Sequence, residues 1–534
     1  MSHPTRADPT GSSPNAPVRP RPKSWHLALL LSLTLLLSAV AWRGFDPERV
    51  PGYSDYWDYL QLGRQLATGH GFTSLFTYPI FLPWSGTAAT GLEPFPLLWR
   101  PPLYPLFVAI GLLVTNGSTW TPVLINILAH LVAILATYWL ALEFTGRRLA
   151  LLAGLVVTLS PALLGLEEPG LATTPYAALL ALAARAVLNA GSRRRALAAG
   201  FGFGLLTLLR GEALLLLPAM IWLLWAGERG DRERRIWCFL LMAIAVTLPW
   251  TLRNWVVTGR PFFGSSSLLF LDTRDYPGWI SSRMTSGLDR SAILWALSHL
   301  DQVAWKGARN LYHFLVQALL LPLAALAPFV WTALGRLARV GRESAFCASV
   351  LIGLGLTIAV LSPLEYSPRF LHPFIPILTV VGVVLLGRMR EQIGESKEAR
   401  YSRRPVIWVA AAVLTLAALQ FLGGLREARQ TRAAWSDEFG PLAEADWAQV
   451  RLGLPRDRVI EADYPAYYAW KTGHRFLWWR ADCGAPAPAL LARDRGRRVP
   501  DPMAIESSAD VAARSVTPPR HFGALLLFDA RPCP

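Results

Sequence analysis

Long apolar segments dominate the chain and alternate with short polar, arginine-rich segments. Twelve apolar runs are long enough to cross or nearly cross a bilayer, at 25–43, 102–114, 120–142, 148–166, 171–190, 196–209, 212–226, 236–253, 311–334, 345–362, 369–387 and 405–424. A helix needs about 20 apolar residues to span the hydrocarbon core. The pattern therefore predicts an all-α polytopic membrane bundle of about 11 to 13 transmembrane helices. Residues 1–24, rich in Pro and basic side chains, are predicted to form a disordered cytoplasmic tail.

Composition supports a membrane protein. Of the 534 residues, 53% are hydrophobic and only 16% are charged, and the mean hydropathy is +0.33. A soluble fold cannot bury this much apolar sequence. The net charge of +16 comes from clusters between the apolar runs. It indicates membrane topology and no nucleic-acid partner.

The basic clusters also predict orientation. Four of them, at 193–195, 227–235, 335–342 and 387–404, belong on the cytoplasmic side by the positive-inside rule. The first loop and the tail then lie outside a bacterial plasma membrane. An inside N-terminus and an outside C-terminus need an odd number of crossings, whereas twelve runs are counted. The discrepancy is placed between 72 and 166. Its candidates are an extra span at 72–84, a run at 102–114 that does not cross, and a break at Ser160 and Pro161.

The last 110 residues differ from the rest. Short β-like runs at 458–462, 475–480 and 522–530 alternate with helix-compatible stretches, which predicts a small α/β domain. The expected organisation is a transmembrane domain at 25–424 followed by an extracytoplasmic domain at 425–534. Cys483 and Cys533 fall in that domain. In an oxidising compartment they form either a disulfide or two free thiols.

A long polar loop at 44–100 carries the best candidates for chemistry. It contains Asp55 and Asp58 in the string GYSDYWDYLQLGRQLATGHGF, and a loop of this length is more than a connector. Ser54 as N-cap and Gly69 as stop predict an amphipathic helix along the membrane surface, with Asp55 in its first turn facing the transmembrane core. The structural alternative is that an acid in this position only complements the helix dipole.

Metal and histidine signals are weak. Asp55 and Asp58 have the spacing to share a divalent metal, but no further oxygen ligands lie near them. The sequence therefore predicts no metal site and no certain cofactor. The lone histidines His70, His372 and His474 lie among aromatic residues, which favours packing or surface roles.

Several strings resemble the GT-C superfamily of polytopic glycosyltransferases, which includes protein O-mannosyltransferases and the lipid A aminoarabinose transferase. They are SDYWDYLQLGRQLATGHGF, RPPLYPLFVAI, EEPGLATTPYAALLALAARAV, GLLTLLRGEALLLLP, LPWTLRNWVVTGRPFFGSSS, YSPRFLHPFIPILTVVGVVLL and, in the tail, VIEADYPAYYAWKTGHRFLWW. No single string is very specific, but their order and spacing cover most of the chain. The chain departs from relatives at Gly211, where Pro is frequent, and at Tyr56, where some members have Glu after the aspartate.

The resemblance implies an inverting transfer of a sugar from a polyprenyl-phosphate donor to a lipid, polysaccharide or protein acceptor. It favours Asp55 over Asp58 as the general base. It implies that Arg100, Arg253 and Arg369 stabilise the leaving phosphate. Each of these arginines has an alternative role as an interfacial anchor.

Further polar groups are expected at the outer face. Arg210, together with Glu212, and Glu168 are candidates for binding the sugar of the donor. Their alternative is to form ion pairs inside the bundle.

Two other classes stay open. A transporter or flippase of lipid-linked glycan also carries intramembrane Arg and Glu. The absence of an internal repeat and the gathering of polar residues on one face argue against it. A non-catalytic relative that only binds lipid-linked glycan is the other alternative.

Overall fold

The chain folds into a large helical bundle with a small α/β unit. The computed structural model describes residues 22–51, 54–86, 93–227, 231–261, 266–274, 292–320, 341–394, 404–438, 444–455, 459–478, 490–493, 520–522 and 525–528. The helices are α1 (Ser24–Ala41), α2 (Asp55–Ala67), α3 (Leu103–Val114), α4 (Thr121–Leu142), α5 (Arg147–Thr158), α6 (Thr173–Leu188), α7 (Arg193–Leu209), α8 (Leu217–Ala226), α9 (Arg232–Thr258), α10 (Ala292–Ser298), α11 (Leu300–Leu320), α12 (Arg342–Leu361), α13 (Ile375–Gly394), α14 (Arg404–Glu438), α15 (Glu444–Gly453) and α16 (Pro465–Thr472). The strands are β1 (Thr73–Ser74), β2 (Phe76–Thr77), β3 (Phe95–Pro96), β4 (Ile460–Ala462), β5 (Phe476–Trp478), β6 (Leu490–Arg493), β7 (Arg520–Phe522) and β8 (Leu525–Phe528).

Eleven of the twelve apolar runs coincide with described helical segments, and the run at 311–334 begins within α11 and continues outside the described residues. The polytopic helical bundle is confirmed. Within the described residues, six helical segments are long and apolar enough to cross a membrane: Ser24–Ala41, Thr121–Leu142, Arg232–Thr258, Arg342–Leu361, Pro368–Glu391 and Val406–Trp435. Apolar side chains stay exposed along their outer faces, as expected for helices surrounded by lipid. Helix α14 runs without interruption through residue 424, the predicted end of the transmembrane domain.

Helix α3 bears on the predicted mismatch in the number of crossings. Its 12 residues extend about 18 Å, well short of a hydrocarbon core of about 30 Å. It begins beside the first loop, where the Tyr104 ring meets the Tyr59 ring with ring centres 4.5 Å apart. It ends at α4, where the Thr115 and Thr121 hydroxyls are 2.6 Å apart. The start of α4 also lies at the loop, since the Tyr56 hydroxyl donates to the Thr119 carbonyl. Both ends of α3 therefore contact or adjoin the first loop, which favours the alternative that the run at 102–114 does not cross.

The close packing of α7 against α9 depends on glycines. A Cβ on Gly200 would lie 2.2 Å from the backbone oxygen of Phe239, and a Cβ on Gly204 would lie 2.6 Å from Val246. Small residues allow the backbones of membrane helices to approach closely, which strengthens their van der Waals packing.

Gly200→Ala is expected to lower the thermal stability of the purified protein. Its methyl group meets a backbone atom that cannot rotate away, and overpacking of this kind costs about 1–3 kcal/mol. Gly202→Ala is the matched control, because nothing lies within 4 Å of its Cβ position on the same helix. Thermal unfolding followed by tryptophan fluorescence measures both variants. Equal melting temperatures for the two variants would contradict the packing argument.

The loop helix α2 is more buried than an interfacial helix should be. Ser54 is its N-cap, as predicted, and accepts a hydrogen bond from the Tyr56 amide at 3.2 Å. The predicted amphipathic pattern is wrong, because side chains on every face are buried, including the polar Gln61. The reason is packing on two sides. Helix α3 covers one side, so that a Cβ on Gly63 would lie 2.5 Å from Val108. The C-terminal unit covers another.

The C-terminal unit is a mixed sheet that borrows a strand from the first loop. Its order is β2-β5-β4-β6-β8-β7. The first four strands are parallel to one another, and β8 is antiparallel to both of its neighbours, β6 and β7. The predicted small α/β unit is confirmed. The contribution of β2 was not predicted, because the apolar string 72–84 was a candidate span. It forms short strands and a turn of 3-10 helix instead.

Charged side chains also join the first loop to the C-terminal unit. The Arg64 guanidinium donates to the Ala469 and Trp470 carbonyls, each at 2.7 Å, and stacks on the Trp470 ring. Lys471 pairs with Glu48. The loop that carries the aspartates is therefore held between the helical bundle and the sheet.

Candidate functional site

The start of α2 presents two carboxylates to one arginine. Asp55 and Asp58 are three residues apart and so lie on the same face of the helix. Arg100 bridges them: its Nε donates to Asp58 Oδ2 at 2.7 Å, and its Nη2 contacts Asp55 Oδ1. Its guanidinium also lies 4.9 Å from the centre of the Tyr59 ring. Arg100 reaches this position because it directly precedes the two prolines that begin α3.

A second arginine completes the cluster from a distant part of the chain. Arg369 Nη1 lies 3.2 Å from Asp55 Oδ2, and Arg369 Nη2 lies 3.9 Å from Glu365. Asp55 therefore has one guanidinium on each carboxylate oxygen. Arg369 lies in a single 3-10 turn between α12 and α13, at the end of the bundle that faces the loop.

The two aspartates differ in accessibility. The Asp55 side chain is 25% exposed, whereas that of Asp58 is 3% exposed. Trp99 Nε1 donates to Asp58 Oδ2 at 3.1 Å, and the buried Asp58 Oδ1 has no hydrogen-bond partner among the described residues. An acceptor molecule can reach Asp55 but not Asp58. The geometry therefore favours Asp55 for chemistry and Asp58 for holding Arg100.

Their electrostatics differ as well. Burial opposes the charge of Asp55, but Arg100 and Arg369 outweigh it and lower the pKa of Asp55 below its ordinary value. Burial raises the pKa of Asp58, against the attraction of Arg100 and with the repulsion of Asp55. Asp55 is therefore fully ionised at neutral pH in the unliganded protein.

Arg210 and Glu168 lie at the edge of this cluster. Arg210 Nε donates to Glu212 Oε1 at 2.5 Å and Arg210 Nη1 donates to Thr173 Oγ1 at 3.3 Å. Burial raises the pKa of Glu168, and its electrostatic neighbours include Arg369 and Asp55. Both residues are thus near the aspartate without contacting it.

Arg253 is committed to the loop backbone. Its guanidinium donates to the Leu97 carbonyl at 2.5 Å and to the Phe72 carbonyl at 3.1 Å, next to the paired strands β1 and β3. These contacts support the structural alternative for Arg253. Its role in donor binding stays a prediction.

Trp99 and Glu365 belong to the cluster but were not singled out from the sequence. Trp99 directly precedes Arg100, and Glu365 precedes Arg369 by four residues. Their closeness in sequence to the two arginines was a signal. An acid four residues before an arginine is well placed to pair with it, and a neighbouring indole can donate a hydrogen bond to the same partner. Without the fold, nothing distinguished them from interfacial residues.

The remaining candidates lie elsewhere. His70 is exposed beside Thr68, His474 is at a turn with Thr472, and His372 lies 3.3 Å from the Gln317 amide nitrogen. Cys483 and Cys533 fall outside the described residues, so their pairing stays a prediction. The part of the chain that the structure describes contains no group of three or more His, Cys, Asp or Glu side chains arranged to hold a metal ion.

Comparisons with known proteins agree with this architecture. Residues 99–252 match the model of the family described as dolichyl-phosphate-mannose-protein mannosyltransferase. No curated protein matches the sequence significantly.

Solved structures match over nearly the whole chain. ArnT from Cupriavidus metallidurans bound to undecaprenyl phosphate is 16% identical, with a TM-score of 0.58 over 94% of this chain and 97% of that one. The archaeal oligosaccharyltransferase AglB from Archaeoglobus fulgidus, in complex with an inhibitory peptide and a dolichol-phosphate, is 14% identical, with a TM-score of 0.53 over 88% of this chain and 69% of that one. Both are GT-C proteins, so the predicted resemblance is confirmed and the chain has the fold of the GT-C membrane glycosyltransferases.

Proposed function

We propose that the protein transfers a sugar from a polyprenyl-phosphate donor to an acceptor at the outer face of the membrane, with Asp55 as general base. One observation carries the proposal: the Asp55 carboxylate is partly exposed and lies between Arg100 and Arg369 at the bundle end of the first loop. A base and two fixed cations are the groups that this transfer needs. The match to the mannosyltransferase family and the lipid phosphates bound to ArnT and AglB support the donor class.

The proposed reaction breaks the bond between the anomeric carbon and the phosphate oxygen. Asp55 removes the proton from an acceptor hydroxyl or amine, whose oxygen or nitrogen forms the new bond to that carbon from the opposite side. The configuration at the anomeric carbon is inverted. The bonding electrons leave with the polyprenyl phosphate, which becomes a dianion.

Arg100 and Arg369 are the proposed partners of that phosphate. Guanidinium groups bind phosphate through two parallel hydrogen bonds and stay charged when partly buried. Charge that develops on the leaving oxygen is thus met by preorganised donors. Arg210 and Glu168, at the edge of the cluster, are placed to bind hydroxyls of the donor sugar.

The proposed location is the plasma membrane, with the cluster and the α/β unit outside the cytoplasm. The basic residues 193–195 and 232–235 lie at the opposite ends of α7 and α9 from Arg210 and Arg253. The positive-inside rule therefore supports an external active site.

This geometry makes the donor phosphate a competitor of Asp55 for the same two guanidinium groups. Asp55→Asn removes the competing charge, and we expect it to bind undecaprenyl phosphate about tenfold more tightly than the wild type, a gain of about 1.4 kcal/mol. Titration of protein in lipid nanodiscs measures the affinity. Asp46→Asn is the control, because Asp46 is an exposed acid of the same loop. Equal or weaker binding by Asp55→Asn would show that the guanidiniums are not shared.

Competition also predicts a pH effect. In the free protein the two arginines hold the pKa of Asp55 low, so the Asp55 carboxylate is already deprotonated well below neutral pH. A bound phosphate occupies the arginines and adds negative charge, which raises the pKa of Asp55. The acid limb of kcat, which reports the complex, is therefore expected at higher pH than that of kcat/KM for the donor, which reports the free protein. Coincident limbs would contradict the prediction.

The decisive experiment gives purified protein in proteoliposomes a radiolabelled polyprenyl-phosphate sugar and candidate acceptors. Release of polyprenyl phosphate together with labelled acceptor supports the transferase. Movement of intact donor across the vesicle, without cleavage, would identify a flippase instead. Binding without either event would identify a non-catalytic relative.

A further inference from the structure

Helix α11 carries a polar stripe that the proposed reaction does not yet use. Its residues recur at helical spacing along the first two-thirds of the helix: Asp301, Trp305, Lys306, Arg309, Asn310 and His313. The other side of α11 is apolar, and Phe314 packs there against α12 through Ile358 and Leu361. Polar side chains on a helix of a membrane bundle usually face a water-filled or substrate-filled space.

The stripe lines two adjoining cavities of about 590 and 370 Å³. Asp272, Lys306 and Arg309 line both, so the two cavities lie side by side. Lys306 is fixed in the wall, with its side chain 5% exposed and its ammonium donating to the Leu269 carbonyl at 2.6 Å. Small-molecule sites occupy about 300–1,000 Å³. The space is large enough for one or two sugar rings.

The inner wall of this space reaches the aspartate cluster. Glu365 lines the smaller cavity and lies 3.9 Å from Arg369, which lies 3.2 Å from Asp55. A ligand in the cavity is therefore separated from the proposed base by two side chains.

The charges around the cavity are balanced. Three carboxylates line it, those of Asp272, Asp301 and Glu365, and three cationic side chains, those of Arg274, Lys306 and Arg309. A phosphate would meet three acids as well as three bases. A hydroxyl group, in contrast, donates to a carboxylate and accepts from a cation, and hydrogen bonds to charged groups are the stronger ones.

Aromatic rings complete the lining. Trp305 lies at the cavity with 73% of its surface exposed, and Tyr366 lies beside His313 with ring centres 5.1 Å apart. Apolar faces together with a few charged groups are what a ligand with apolar ring faces and hydroxyl edges requires.

We propose that this cavity is a saccharide site, which binds a neutral sugar ring of the acceptor or of the donor beside Asp55. The inference rests on the proposed function and adds a location for a sugar ring of one of the two substrates. A sugar ring of the acceptor and one of the donor would make the same kinds of contact, and the KM values for the two substrates distinguish them.

The binding test uses neutral methyl glycosides (mannoside, glucoside, galactoside and arabinofuranoside) with saturation-transfer NMR of the full-length protein in nanodiscs. Asp301→Asn and Arg309→Gln remove charged partners on an exposed face of α11, so folding should be preserved. We expect at least one glycoside to bind the wild type and both variants to weaken it at least about fivefold. Arg260→Gln is the control, since Arg260 is an exposed arginine that stacks on Trp84 and does not line the cavity. Undecaprenyl phosphate should bind all four proteins equally.

The outcomes separate cleanly. Binding of no glycoside, or equal binding by the wild type and both cavity variants, would overturn the saccharide site. Loss of undecaprenyl phosphate binding instead would identify a phosphate site and also overturn it. In turnover assays, a raised KM for the acceptor assigns the sugar to the acceptor, and a raised KM for the donor assigns it to the donor. Asp55→Asn should bind the glycoside normally, so failure of transfer and failure of this site are distinguishable.

Discussion

Asp55→Asn is expected to lower the rate of sugar transfer by about 10²- to 10⁴-fold, the usual contribution of a general base. The amide keeps the size of the carboxylate but cannot accept the proton of the attacking group. Arg100 retains its bond to Asp58 in this variant, so the cluster should keep its shape. The loss is therefore expected in kcat, while the affinity for the donor phosphate increases.

The measurement is turnover of radiolabelled polyprenyl-phosphate sugar by purified variants in nanodiscs. Asp46→Asn is the matched control and should transfer at the wild-type rate. The Asp46 side chain is 42% exposed, and an asparagine there can still accept the hydrogen bond from the Glu48 amide. Undiminished transfer by Asp55→Asn would remove Asp55 from the mechanism. An equal loss in both variants would indicate damage to the loop.

The bundle was predictable because its signal is local. The apolar runs that the structure describes are helical, since backbone groups in lipid must be hydrogen-bonded within the segment. The predicted mismatch in the number of crossings stays a prediction, and the short helix α3 favours one of its three candidate explanations. What a single run could not show is that 12 apolar residues lie flat against α2, because that contact depends on Gly63 and on a partner 45 residues away.

The pairing of the first loop with the C-terminal sheet was not predictable for a similar reason. Strand β2 is two residues long, and its partner β5 follows about 400 residues later in the chain. No periodic pattern exists in so short a segment. The burial of α2 also depends on that distant unit, so its hydrophobic pattern alone suggested an interfacial helix.

The candidate site was predictable in part. The sequence placed Asp55, Asp58, Arg100 and Arg369 on the same face of the membrane, and the fold brings these four side chains together. Their pairing required tertiary structure, because Arg369 is 314 residues from Asp55. The same structure moves Arg253 away from the aspartates and onto the backbone of the loop.

Arg100→Gln is expected to destabilise the protein by about 3–5 kcal/mol, the usual result of removing one partner of a buried ion pair. It leaves the Asp58 carboxylate buried with only the Trp99 indole as donor. Transfer should be lost as well, because Asp55 and the donor phosphate both lose a guanidinium. Denaturant titration in mixed micelles measures the stability, and thermal unfolding gives an independent check.

The double variant Arg100→Gln/Asp58→Asn separates the structural role of Arg100 from its catalytic one. Neutralising Asp58 removes the unpaired buried charge, so most of the lost stability should return. Transfer should stay low, since the phosphate still lacks its partner. Asp58→Asn alone should cost less stability than Arg100→Gln, because Arg100 keeps Asp55. If the second substitution restores no stability, the ion pair with Asp58 is not what Arg100 contributes to folding, and Asp58 returns as a rival to Asp55 for the role of base.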